Sequence, residues 1–314
     1  MSLWLAILLF FVALFLILKG ADWFVDAAAE MAEGFHVPKV LMGATLVSFA
    51  TVAPEFFVSV MAAAMGKVEM AVGNAVGSPI ANIGLILGCC VCFTFMPVSQ
   101  EMLKRECVMM LAAVVLLFFL SFNKVITRPI SLFFLFLVFL YIRYSLRQAR
   151  NAREGWRREG AIPKADFNLK RELLFFSAGA LMVIVGSRLL ILTGSSIAMY
   201  FGISESVIGL TLVAFGTSLP EFFTAVVAVT KGHKEISVGN IVGANILDII
   251  LVLGVSGLVR PLPVDVTTHF FAIPVLLLLS VLLITFGTTR RGFQRWEGGV
   301  FVAIYTLYIY YLFL

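Results

Sequence analysis

Two glutamates, Glu55 and Glu221, stand inside apolar stretches of this 314-residue chain, and each closes a Thr-x-x-Pro-Glu run that begins at Thr51 or Thr217. A carboxylate at membrane depth costs roughly 2.5 to 3.5 kcal/mol even on the lenient insertion scale, so two of them need a reason. The threonine and glutamate of each run are four residues apart and share one face if helical geometry persists. The intervening Pro54 and Pro220 remove an amide donor and crowd the carbonyl four residues back, which releases the carbonyls of Ala50 or Thr51 and of Gly216 or Thr217. Freed carbonyls within a bilayer need a partner, and a cation supplies one. Carboxylate, hydroxyl, amide and carbonyl oxygens suit hard cations such as calcium and sodium, whereas zinc or copper would call for histidine or cysteine.

The two runs belong to a longer duplication. Gly43 to Gly88 recurs as Gly209 to Gly254 at a constant offset of 166 residues with no insertion or deletion. This pairs Thr51 with Thr217, Pro54 with Pro220, Glu55 with Glu221, Asn74 with Asn240, Gly77 with Gly243 and Asn82 with Asp248. The second half of each unit, Gly73-Asn-Ala-Val-Gly-Ser-Pro-Ile-Ala-Asn82 and Gly239-Asn-Ile-Val-Gly-Ala-Asn-Ile-Leu-Asp248, adds glycines for close approach and further oxygens.

The elements that must carry these residues are membrane helices. With 61% hydrophobic and 13% charged residues the chain is too apolar for a soluble domain. Measured against the ~20 apolar residues a span needs, the sequence predicts ten helices at 2–20, 38–65, 70–96, 103–122, 128–146, 171–200, 205–230, 236–259, 267–287 and 297–314. The long unbroken apolar runs lack the alternation of a transmembrane barrel. The first segment has no basic leader and no small-residue cleavage site, so it reads as a retained span. The expected fold is therefore an all-α polytopic membrane protein.

A duplicated unit of five spans must insert the second time upside down, which gives two inverted-topology repeats, 1–146 and 171–314, joined by a basic linker at 147–170. That linker carries Arg147, Arg150, Arg153, Arg157, Arg158, Lys164 and Lys170. The positive-inside rule makes it cytoplasmic and puts both termini outside. Lys19, Lys39, Lys104, Arg105, Lys231, Lys234, Arg290, Arg291 and Arg295 then also fall inside, and only Lys67, Lys124, Arg128 and Arg260 fall outside. The net charge of +5 follows from this topology and suits contact with anionic membrane lipids; no basic fold interleaved with aromatics speaks for nucleic acid. No feature calls for a cofactor or an obligate protein partner.

The alternatives for individual residues are plain. Arg188, within an expected span, could neutralise one glutamate but not two. His36, His233 and His269 fall at expected helix ends and read as interfacial residues. Cys89, Cys90, Cys92 and Cys107 lie in spans without metal-ligand spacing and read as packing residues. An intramembrane aspartyl protease would not need its acids in long copies of one another, and a passive channel would draw its symmetry from oligomers.

The duplicated Thr-x-x-Pro-Glu and Gly-Asn-x-x-Gly-[Ser/Ala]-x-Ile-x-[Asn/Asp] segments resemble the two alpha repeats of the cation/calcium exchanger superfamily, most closely its sodium/calcium exchanger branch. The resemblance spans the whole chain. It implies a countertransporter in which the second, third, seventh and eighth helices form a central cluster of cation sites, while the first and sixth slide to alternate access. It further implies that Glu55 and Glu221 bind calcium with Thr51 and Thr217. Ser78, Asn82, Ser218 and Asp248 would form flanking or middle cation positions, with carbonyls near Ser48 and Ala214 contributing. Calcium and sodium would be transient cargo in a compact prokaryotic inner-membrane exchanger. The chain departs from the pattern where Val52 faces Ser218, Pro79 faces Asn245, Ala50 faces Gly216 and Ala244 faces Ser78. The hydroxyls missing at Val52 and Ala244 leave calcium binding intact and keep open a calcium/proton antiporter, because a buried carboxylate without a cation beside it favours its neutral form.

Overall fold

The computed structural model describes residues 2–158, 167–201 and 216–312. Helices dominate: α1 is Leu3–Gly34, α2 Lys39–Thr51, α3 Ala53–Ala64, α4 Val68–Phe93, α5 residues 100–120, α6 Arg128–Arg158, α7 Leu169–Tyr200, α8 Leu219–Thr230, α9 Lys234–Val259, α10 Thr268–Thr289 and α11 Arg295–Leu312. Among the described residues six helices are long and apolar enough to cross a membrane, and a seventh crossing arises if α2 and α3 form one bent span. The expected helix at 205–230 is described only from 216 onward.

Several boundaries differ from expectation for identifiable reasons. The span predicted at 38–65 is broken at Val52, where α2 and α3 meet at a 43° bend. Pro54 lies in the first turn of α3, where its missing amide costs nothing, so the proline starts a new helix and ends the old one. The α1 helix runs to Gly34, past the predicted 20, because the residues beyond the apolar run are good helix formers bearing Asp22, Asp26, Glu30 and Glu33 on a wetter surface. The stretch read as a linker from 147 begins as the last turns of α6, which ends at Arg158.

Burial locates the centre. Of the apolar windows, 72% of α4 and 83% of α9 is buried, against 22–39% for α1, α6, α7 and α10. The outer helices turn Trp4, Phe11, Phe15, Phe136 and Leu181 outward, as lipid-facing surfaces do. Small residues allow the close crossings. A Cβ on Gly243 of α9 would collide with the Ala44 carbonyl of α2, and one on Gly179 of α7 would stand 2.7 Å from Phe24 N of α1. Cys90 and Cys107 pack inside as expected, whereas Cys92 faces outward.

Backbone detail repeats between the two copies. Gly66 and Gly232 both take φ +81° in the turns before α4 and α9, a left-handed conformation that glycine adopts without strain. Wide π-helical turns occur at Asn82–Leu87 and Asp248–Val252, each opened by one of the paired Asn/Asp positions. Two short antiparallel pairs tie the copies together: Met96–Pro97 (β1) with Gly292–Phe293 (β4), and Val125–Ile126 (β2) with Leu262–Pro263 (β3).

Candidate cation-binding site

The bend between α2 and α3 carries Thr51 and Glu55 into the interior, and α8 starts at Leu219, just after Ser218, to do the same for Glu221. Both glutamates and Asp248 are only 1% exposed. Ser48, Thr51, Ser78, Asn82 and Ser218 are buried with them, and Thr217 is half-buried. Ala214 lies outside the described residues. Hydrogen bonds of Thr51, Asn74 and Asn82 to Asn240, Thr217 and Asn245 join the segments that carry the three acids into one buried neighbourhood drawn from both copies.

The hydrogen bonds cross between copies in matched pairs. Thr51 Oγ1 donates to Asn240 Oδ1 at 3.1 Å, and Thr217 Oγ1 donates to Asn74 Oδ1 at 3.1 Å. Each hydroxyl proton is thereby committed sideways, which leaves oxygen lone pairs for another ligand. Asn74 is held in turn, since its Nδ2 donates to Ser59 Oγ at 2.9 Å and to the Glu55 carbonyl at 3.2 Å. Asn82 Nδ2 donates to Asn245 Oδ1 at 3.0 Å, and Asn245 Nδ2 reaches Met110 Sδ at 3.5 Å.

What remains is a set of acceptors. Both carboxylate oxygens of Glu55, Glu221 and Asp248, together with Asn82 Oδ1, are buried without any hydrogen-bond donor. Ionised carboxylates left so at membrane depth would be severely destabilising, whereas hard cations take six to eight such oxygens. Arg188 does not offset them: it is exposed, and no ion pair among the described residues involves it or any of the three acids. Nor do three acidic, imidazole or thiol side chains among the described residues gather closely enough to hold one ion together. The arrangement therefore suits ions shared between carboxylates and neutral oxygens.

The Ser48 carbonyl accepts the Val52 amide at 3.0 Å and lies 3.5 Å from the Thr51 hydroxyl. Val52 and Ala244 are buried and apolar where hydroxyls were missed. Asn74, Asn240 and Asn245 join the site beyond the residues that the motif marks, and the repetition of Asn74 as Asn240 is the sequence signal for the first two. His269 is buried, stacks on Phe118 and meets Ser121 Oγ at 3.0 Å, apart from the acidic cluster.

Residues 5–147 and 172–314 match the model of the sodium/calcium exchanger protein family. The chain is 36% identical to the inner membrane protein YrbG of Escherichia coli over 283 residues, covering 88% of this chain and 87% of that one. It is 32% identical to the sodium/calcium exchanger MaX1 of Methanosarcina acetivorans over 98% of each. Its structure matches that of the sodium-calcium exchanger NCX_Mj with a TM-score of 0.86 at 30% identity, over 98% of both chains. With apolar helices, a buried oxygen cluster built by two copies of one motif and this agreement along nearly its whole length, the chain belongs to the sodium/calcium exchanger family of integral-membrane cation transporters.

Proposed function

We propose that this protein is a secondary active antiporter that exchanges calcium for sodium by alternating access. The observation that carries the reading is the cluster of donorless oxygens on Glu55, Glu221, Asp248 and Asn82, contributed by both copies. Calcium bridges the Glu55 and Glu221 carboxylates, with the Thr51 and Thr217 hydroxyls turned toward it by Asn240 and Asn74. Sodium occupies flanking positions built from Ser78, Asn82, Ser218 and Asp248, with backbone carbonyls near Ser48 and Ala214. The calcium and sodium positions adjoin in one enclosed cluster, so the positive charge of one ion opposes entry of the other, which is the physical basis of countertransport.

The transport cycle rests on ten spans arranged as two inverted five-helix repeats, 1–146 and 171–314, with both termini outside and 147–170 cytoplasmic. The strand pairs support that arrangement. Pairing of β1 with β4 requires 96–97 and 292–293 on the same membrane side, and pairing of β2 with β3 requires the same of 125–126 and 262–263. Ten spans satisfy both conditions, with six crossings separating the first pair and four the second. The glycine-lined contact of α1 with α7 packs those two helices tightly on each other, so that they slide past the core as one unit.

A second reading, calcium/proton antiport, is favoured by the buried apolar Val52 and Ala244 at positions where neutral oxygens would serve sodium. Uptake of radioactive calcium into proteoliposomes at clamped voltage separates the two. Uptake driven by an outward sodium gradient is the expected result. Uptake that ignores sodium and follows an outward proton gradient would move the assignment to the second reading, and uptake under neither would remove calcium exchange altogether.

A further inference from the structure

Away from the acidic cluster, a groove of about 340 Å³ runs between α2 and the last turns of α6. Leu41, Met42, Leu46 and Phe49 form one wall, and Ile142 and Leu146 form the other. The polar groups at depth are already committed, since Thr45 Oγ1 donates to the Leu41 carbonyl at 2.7 Å and the Tyr141 hydroxyl donates to the Ala44 carbonyl. A polar occupant would therefore find little beyond the Ser145 hydroxyl to pair with there. At its open end the groove is lined by Arg150 and Arg153, one turn apart on the same face of α6 and exposed. Neither has an ion-pair partner among the described residues.

We propose that this groove is a binding site for one anionic phospholipid, with its phosphate held by Arg150 and Arg153 and an acyl chain lying against α2. The charge pattern selects the occupant. The arginines begin about 6 Å beyond Leu146, at the 1.5 Å rise of a helix, which places them at head-group depth at the end of an apolar span. A guanidinium fork matches phosphate oxygens in geometry as well as charge. Every acyl chain in a bilayer is already in hydrocarbon, so the groove adds shape and the arginines add selectivity. The wall contacted is the wide turn Gly43–Val47, which leads directly into Ser48 and Thr51. A lipid seated there braces the segment that carries the first copy's site residues.

The test is retention of lipid by the detergent-solubilised full chain in native mass spectrometry, with phosphatidylglycerol and phosphatidylcholine offered separately. The unmodified chain should keep one phosphatidylglycerol with a preference on the order of thirtyfold. R150Q/R153Q should abolish the preference, and R150K/R153K should retain most of it. Leu46→Trp, which fills the groove and spares both arginines, should lower retention of phosphatidylglycerol about tenfold, scaled on the lost acyl contacts. The rise in Tm on adding phosphatidylglycerol should follow the same order, and as a difference it stays readable in a less stable variant. Equal retention of the two lipids, or an unchanged preference in R150Q/R153Q, would overturn the site. Full retention in Leu46→Trp would also overturn the groove, reducing the effect to attraction of head groups by a basic helix end. None of these readouts depends on transport.

Discussion

The two copies of the motif build one cluster, but they do not contribute equally. Each supplies a glutamate, a threonine, and an asparagine that accepts the other copy's threonine, at the same 3.1 Å. Beyond that shared frame the halves diverge. The second copy adds Ser218, Asn245 and Asp248, whereas the first has Val52, Pro79 and Asn82 at those positions. The second copy thus brings two carboxylates and the first only one. The matched part suits an ion shared evenly by the two halves, and the unmatched part is where discrimination between cargo and driving ion belongs.

The largest effect should come from the matched acids. Glu55→Gln and Glu221→Gln each remove a charge from the shared pair, and ligand charge count is the main determinant of calcium affinity. Each should lower calcium uptake in proteoliposomes by at least roughly a hundredfold, equivalent to about 2.8 kcal/mol. A tenfold difference between the two variants would mean that calcium belongs to one copy alone, and the even sharing would be lost.

Asp248→Asn makes the second copy resemble the first at Asn82, and so tests the unmatched part. The half-saturating sodium concentration should rise about tenfold while that for calcium moves less than about threefold, because the carboxylate peculiar to the second copy is lost and the two matched glutamates are spared. Parallel losses for both ions, measured in one titration series, would place Asp248 on calcium and erase the division of labour.

Sequence could expose much of this and hide the rest for physical reasons. The helical class, the membrane setting and the paired glutamates follow from hydropathy and duplication, because burying Glu55 within apolar sequence has an energetic consequence visible without coordinates. The 43° bend was foreshadowed by Pro54. The wide turns at Asn82–Leu87 and Asp248–Val252 were not, since a π-helical turn depends on how α4 and α9 pack against their neighbours and has no local residue signature. The extension of α6 to Arg158 was hidden by its charge, which reads as a loop although arginine, glutamine and alanine are good helix formers. The asparagine pairs were hidden differently. Asn74 is 143 residues from Thr217, and a contact at that separation is invisible until the copies are docked.

Those asparagines give the next comparison. Asn74 has three partners, Thr217, Ser59 and the Glu55 carbonyl, whereas Asn240 has Thr51 and an Nδ2 without an acceptor. Asn74→Ala should therefore be the more harmful change. At about 1 kcal/mol per lost hydrogen bond it should lower calcium affinity roughly five- to tenfold and Tm by a few degrees. Asn240→Ala should change affinity about fivefold with little change in Tm. Calcium-binding calorimetry beside thermal unfolding would read both, and equal costs in Tm would mean that the extra bonds of Asn74 add nothing net.

The smallest effect, and the finest test of the asymmetry, is Val52→Ser. The substitution returns to the first copy the hydroxyl that Ser218 provides in the second, at a position that is 2% exposed and follows Thr51 at the bend. A buried hydroxyl without a partner is destabilising by about 1 to 3 kcal/mol, so the protein should lose a few degrees in Tm when no cation is present. Sodium supplies the missing partner, and the loss should shrink as sodium is raised, by the usual linkage of ligand to stability. Transport should change less than about threefold, with the sodium half-saturation falling and the calcium value held. A Tm deficit that sodium cannot relieve would show that position 52 does not face the ion path, and the apolar residue there would then be packing with no bearing on the choice of coupling ion.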